Sequence, residues 1–273
     1  MVDVSTTYVN RVRLDIADGV ATISLVREAR LNAIDTIMHE ALRAALDAIG
    51  SDPSVRALVL AGLGRAFSAG QDLNERAVSF SRGEVPDLRA SLEDNYNPLI
   101  RAIANSPLPV IAAVNGMAFG AGAALAIACD IVLCAASAKF QFGFINVGLG
   151  PDSGASWSLP RLIGQARALD LALTGRAVAA EEALAMGLVS RVVADEQLQA
   201  VAHEMAQALT ARSPEAVATI KHQLRANPQG SLHDALDCER DAQAVLGRTD
   251  FYRETVLRFG QPRSETPVTG HKP

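Results

Sequence analysis

"PVIAAVNGMAFGAGAALAIACDIVLCAASAKF", residues 109–140, decides the fold. "PVIAAVNG" is an unbroken apolar run, as expected of a strand covered on both faces. "FGAGAALAIACD" is a glycine-rich turn that opens into a helix of small residues. "IVLCAA" is a second apolar run. Strand, glycine-rich turn, helix and strand in succession point to an α/β core.

The pattern repeats outward. "VRALVLAG" (55–62) is another buried strand, followed by "GRAFSAGQDLNER" (64–76), read as a loop. Upstream, "VRLDI" and "VATISLV" are two strands around an "ADG" turn. "DTIMHEALRAALDAIG" (35–50) is a helix, with Asp35 as N-cap and Gly50 as its stop. Residues 75–90 are charged, contain Gly and Pro, and read as a mobile connection. "YNPLIRAIANS" (96–106) is helical. From residue 153 the chain is mostly helical, with one strand-like end in "EEALAMGLVSRVV" (181–193). Residues 1–195 are therefore assigned to the α/β core and 196–273 to a C-terminal helical region. The polar tail after Gly260 is expected to be poorly ordered at its end.

The bulk numbers bound the function. The chain has 273 residues, 49% hydrophobic and only 4% aromatic, enough for a large aliphatic core. Net charge is −5 with no like-charged run, which argues against a nucleic-acid partner. Cys129, Cys134 and Cys238 are scattered and include no CxxC, so a reducing cytoplasm is the expected setting. The N-terminus has no signal-peptide pattern, and no apolar run is long enough for a membrane span. His39, His203, His222, His233 and His271 have no ligand spacing, so no metal site is expected. P-loop, GxGxxG and GxSxG patterns are absent.

Chemistry is left to three short stretches. "FSAGQDL" (67–73) and "FGAGAAL" (119–125) each follow a buried strand. Small residues let a ligand approach the backbone, and a helix start offers unpaired N–H groups. Two such groups facing one oxygen form an oxyanion hole; alternatively, the glycines serve only tight turns. The third stretch is "VGLGPDSGASW" (147–157), which sets Asp152 among glycines. Asp152 reads either as a cap for the following helix or as a general base beside an apolar pocket.

"GRAFSAGQDL" (64–73), residues 109–140 and "VGLGPDSGASWSLPRLIG" (147–164), in this order and spacing, resemble the enoyl-CoA hydratase/isomerase (crotonase) superfamily. The likeness runs from about Val12 to Phe259. It implies a spiral of ββα units, a C-terminal helical oligomerisation region and a homotrimer or hexamer. It implies an acyl-CoA thioester as the small-molecule substrate, with no cofactor beyond the CoA that the substrate carries. The thioester oxygen would lie between the N–H groups of Gln71 and Ala121, and Asp152 would be the catalytic acid/base. The adenine would rest near Ser68 and Ala69, and Gly70, Asp72, Gly120, Phe144, Tyr96 and Asn97 would complete the substrate site. Arg27, Arg30 and Arg65 are candidates for the phosphates.

The departures narrow the chemistry. A hydratase of this superfamily handles water with two glutamates; their positions hold Ala124 and Phe144 here. Asp152 replaces a glycine, among Phe142, Phe144, Val147, Leu149 and Trp157. One carboxylate that removes a proton and returns it elsewhere gives an isomerase, which either shifts a double bond or opens an epoxide. Hydration by water on Asp152 and a dehalogenase-like displacement are the alternatives. Against the latter, that branch has Trp at the Phe144 position and His near residues 95–98, where this chain reads "NYNP". A non-catalytic acyl-CoA binder is the rival of another class. Tyr96 and Asn97 either line the acyl pocket or start a packed helix. Trp157 is read as core, and Asn146 either bonds Asp152 or steadies its loop.

Overall fold

The computed structural model describes residues 5–226 and 230–259. Its strands are β1 (Ser5–Val9), β2 (Val12–Ala17), β3 (Val20–Leu25), β4 (Ala57–Gly62), β5 (Ala66–Ser68), β6 (Val110–Val114), β7 (Met117–Phe119), β8 (Ile131–Ala135), β9 (Lys139–Gln141), β10 (Ala177–Ala179) and β11 (Arg191–Val193). Its helices are α1 (Thr36–Ser51), α2 (Leu73–Ser81), α3 (Leu88–Ser91), α4 (Asn97–Asn105), α5 (Ala121–Ala128), α6 (Ala155–Ile163), α7 (Gln165–Thr174), α8 (Ala180–Ala185), α9 (Leu198–Thr210), α10 (Pro214–Ala226), α11 (Leu232–Leu246) and α12 (Asp250–Phe259).

Two sheets organise the core. One has the order β1-β2-β3-β4-β6-β8-β11, the other β10-β9-β7-β5. From β3 to β11 the large sheet is parallel, and β5, β7 and β9 are parallel to one another. Each central strand of the large sheet thus leads into a short strand of the small one: β4 into β5, β6 into β7, β8 into β9. A helix then returns the chain. These are the expected ββα turns of the crotonase-like spiral.

Burial explains why the central strands read as unbroken apolar runs. β4 and β6 are buried at every residue, as parallel strands covered on both faces must be. Helix α5 is likewise buried at all eight residues. Its alanines and glycine keep it thin enough to fit between its neighbours. Gly122 shows how tight the fit is: a Cβ there would lie 2.6 Å from the Ser68 carbonyl oxygen.

Several local expectations are corrected. Asp35 does cap α1, accepting from the Met38 N–H at 3.0 Å, but the helix runs through Gly50 to Ser51. No positive φ is needed at Gly50, so it does not stop the helix. The stretch 64–76 holds β5 and the start of α2, and residues 75–90 are largely α2 and α3. Trp157 is not core: it is 47% exposed, with the Arg161 guanidinium 4.2 Å above its ring.

The chain divides into two compact units, residues 1–214 and 215–273. Helix α9 packs on β3, β4, β6 and β8 within the first, burying Leu198, Ala202 and Ala206. The second unit comprises α11, α12 and all but the first residue of α10. The tail after Gly260 lies outside the described residues. No helix among the described residues is long and apolar enough to cross a membrane.

Two glycine substitutions are expected to have opposite signs. Gly122→Ala inserts a methyl against Ser68 and should cost about 1–3 kcal/mol, the usual range for overpacking. Gly50→Ala meets nothing within 4 Å and should stabilise α1 by up to about 1 kcal/mol. Urea unfolding of the two variants beside the parent checks both.

Candidate active site

The two glycine loops lie against each other. A Cβ on Gly70 would sit 2.5 Å from the Phe119 carbonyl oxygen and 3.1 Å from the Ala121 nitrogen. Gly70 also has φ +75°, a region that other L-residues enter only with strain. Only glycine satisfies both constraints.

The backbone next to Gly70 is held from its other side. Ile34 and Gln71 form an isolated parallel bridge. Its bonds run from the Ile34 N–H to the Gly70 carbonyl, 2.7 Å, and from the Asp72 N–H to the Ile34 carbonyl, 2.9 Å. A parallel bridge uses the neighbours of the bridged residue, so the Gln71 N–H itself points away from Ile34. Ala121 is the first residue of α5, where the helix has no partner for its N–H. Gly120 directs the turn with φ 51° and anchors it by donating to the Gln141 carbonyl, 2.8 Å. The arrangement leaves two backbone donors on adjacent loops, beside the positive end of a helix.

Other expected substrate contacts are placed differently. Ser68 is buried; its hydroxyl donates to the Asn32 carbonyl and accepts from the Gly70 N–H. The hydroxyl is thus committed within the protein, leaving only backbone at Ser68 for a ligand. Ala69 stays half-buried at the loop edge. Asp72 is turned inward: its carboxylate meets Arg27 at 2.6 Å and caps α2 through the Asn74 N–H. Burial opposes ionisation of Asp72, but Arg27 and the Asn74 bonds outweigh it and hold the carboxyl below its ordinary range. Arg27 is thereby removed from the phosphate candidates, while Arg30 and Arg65 are exposed.

Asp152 is half-buried. Its side chain does not cap the next helix: α6 starts from Gly154 in the left-handed region with no side-chain cap bond. The Ser153 hydroxyl donates to its carboxylate at 2.8 Å, and no basic side chain pairs with it among the described residues. Burial raises its pKa, and the Ser153 bond offsets part of the rise. Phe142 and Phe144 are buried, whereas Val147, Leu149 and Trp157 face outward. Asn146 does not reach Asp152; its amide packs over Gly143 and Gly175.

Tyr96 joins this site. It ends a π-helical turn, Leu92–Tyr96, that leads into α4, and Asn97 follows it half-buried. The buried Tyr96 hydroxyl has no hydrogen-bond partner among the described residues. Burial first, then the nearby Asp152 charge, push its pKa upward, so the hydroxyl stays protonated. His39 is the residue sequence reasoning missed. Its ring meets Tyr96 edge-on, with centroids 4.3 Å apart and planes at 82°. Neither ring nitrogen has a partner. Burial, then Arg43 and Arg76, lower its pKa to about 4, so it is neutral near pH 7. An unpartnered buried polar group costs about 1–3 kcal/mol, and here two such side chains meet through their rings. The only sequence signal was a histidine on the apolar stripe of α1, beside Met38 and Leu42.

Comparison with known proteins identifies the family. Residues 15–265 match the family described as Enoyl-CoA hydratase/isomerase. The chain is 45% identical to the 1,2-epoxyphenylacetyl-CoA isomerase of Escherichia coli (strain K12), over 90% of this chain and 94% of that one. It is 30% identical to a 4-chlorobenzoyl coenzyme A dehalogenase of an Arthrobacter species, over 93% of each. An enoyl-CoA hydratase structure from Mycobacterium smegmatis superposes with a TM-score of 0.84 at 32% identity, covering 92% of this chain and 96% of that one. With the ββα spiral and the paired glycine loops already in place, the match over nearly the whole length settles the family: the chain belongs to the enoyl-CoA hydratase/isomerases.

Proposed function

We propose that the protein is a cofactor-free acyl-CoA isomerase in which Asp152 moves a proton between two carbons of the acyl group. The carrying observation is the state of that carboxylate: half-buried, raised in pKa, bonded among the described residues by Ser153 alone and unused as a cap. A base of raised pKa is stronger once ionised. The Gln71 and Ala121 N–H groups hold the thioester oxygen while it carries the enolate charge. The proton returns from Asp152 to a different carbon, and no water enters the product.

The positions that would carry water-handling carboxylates support this reading. Ala124 and Phe144 are both buried and apolar. The substrate is a CoA thioester with a double bond or an epoxide near its carbonyl; the similarity to an epoxyphenylacetyl-CoA isomerase favours an aromatic acyl group. Tyr96 and His39 supply the hydrogen bonds that a polar acyl group needs. The second unit exposes Leu232, Val245, Leu257 and Phe259, the kind of apolar surface that assembles copies of a chain. We assign it to a homotrimer or a dimer of trimers.

Three outcomes are expected. Incubated in D₂O with a 3-enoyl-CoA, the parent should take up deuterium and shift the double bond without adding water. Asp152→Asn should lower this rate at least about 10³-fold while leaving CoA-thioester affinity within a few-fold. Addition of water by the parent, read by product mass, would make it a hydratase instead. The acid limb of kcat/KM should lie above the ordinary carboxylate range, and Ser153→Ala should move it higher, because the lost bond favoured the ionised form. Finally, Asp152→Asn should raise Tm at pH 7. A carboxyl whose pKa is raised on folding destabilises the fold above that pKa, and the penalty disappears as pH falls through it toward the unfolded value. The advantage of Asn should therefore vanish in acid; calorimetry across pH reads it.

A further inference from the structure

Gln71 touches nothing charged through its backbone, yet its segment is held by a buried ion cluster that no part of the chemistry uses. The Arg27 guanidinium lies 2.6 Å from the Asp72 carboxylate and 3.3 Å from that of Asp35. Its Nη1 also donates to the Ala33 carbonyl at 2.9 Å. Ala33 and Asp35 flank Ile34, and Asp72 follows Gln71. One planar fork therefore grips both sides of the Ile34–Gln71 bridge.

The fork is itself anchored. The Arg27 N–H donates to the Asn32 side chain at 2.8 Å, and that side chain donates to the carbonyls of Leu63 and Ala66. Both carboxylates are nearly inaccessible, and Arg27 only slightly less so. Removing one member of such a cluster leaves buried charge uncompensated. Without Arg27, Asp72 loses its direct ion pair and keeps only the more distant field of Arg11, which pairs with Asp35. The two carboxylates would then repel, and the bridge that aims Gln71 would open.

We propose that Arg27 is a positioning residue for catalysis, acting through Asp72 to hold the Gln71 N–H on the thioester oxygen. This rests on the reading of Gln71 and Ala121 as the oxygen's donors.

The probe is cinnamoyl-CoA carrying ¹³C at the thioester carbonyl, bound to the full chain and read by infrared difference spectroscopy. The parent should shift the carbonyl stretch to lower frequency, as two aimed donors polarise the bond. Arg27→Met should lose at least half of that shift and about 10–100-fold in kcat on a 3-enoyl-CoA, with cinnamoyl-CoA affinity within about 3-fold. Arg27→Lys, which keeps the charge but not the fork, should fall between. Asp72→Asn should reproduce the loss if Arg27→Met fails to fold. Leu198→Ala, a destabilising change in α9, should keep the full shift and so separates positioning from stability. Retention of the parental shift and kcat in Arg27→Met or Asp72→Asn overturns the proposal. Absence of any shift in the parent overturns the donor reading itself, and Arg27 with it.

Discussion

The structure depends on one close approach, backbone against backbone, between the turn after β5 and the turn after β7. Gly70 leaves no space for a side chain before the Phe119 carbonyl, and Gly122 leaves none before Ser68. Parallel pairing of β5 with β7 brings the turns together, and the two glycines let them touch. The consequence is chemical as well as structural. At Gly70 the contact is with backbone atoms alone, so the groups presented there are peptide N–H donors fixed by the sheet and by the start of α5. Donors held this way need no reorganisation when charge develops on a bound oxygen.

Charge is distributed to suit. Asp35 and Asp72 are buried with Arg27 as shared partner, and they hold geometry. Asp152 is half-buried with a serine hydroxyl in place of a cation, and it keeps a raised pKa. Near it Tyr96 stays protonated through burial and the Asp152 field, and His39, edge-on to Tyr96, stays neutral through burial. In the proposed reaction neither group competes with Asp152 for the proton. Such an arrangement lowers stability for the sake of reactivity.

The long elements were legible because their cause is local. Continuous apolar runs become β4, β6 and β8, and the small-residue run becomes α5, since a parallel strand or a thin helix covered on all sides can hold nothing else. The small sheet was not legible. β5, β7, β9 and β10 are three residues each, too short for any periodicity, and exist only because neighbouring turns stack. The site was legible in part where backbone made it: glycine spacing marked the two turns at Gly70 and Gly120, whereas the donor roles of Gln71 and Ala121 came from the family resemblance alone. It failed where side-chain direction decided. Asp72 turned in to Arg27, Ser68 turned in to Asn32, Trp157 turned out to Arg161, and His39 met Tyr96, 57 positions further along the chain.

The contrast among the chain's own helix starts bears on Asp152. Asp35, Asp72 and Asp87 each precede a helix and each accepts a backbone N–H two or three residues on. Sequence places Asp152 in the same class, three residues before α6. Two left-handed residues, Ser153 at φ 51° and Gly154 at φ 77°, separate it from that helix. They let the backbone carbonyl of Asp152 take the Ala155 N–H, 2.9 Å, and leave the carboxylate out of the capping role. A serine in the left-handed region is strained, and strain of order 1–3 kcal/mol persists only where the surroundings over-determine it. Here Gly154 packs against Ile100 of α4, the helix that begins beside Tyr96. The same turn that denies Asp152 to the helix therefore sets it beside α4, which follows directly on Tyr96, an arrangement that the proposed proton transfer needs and a cap does not.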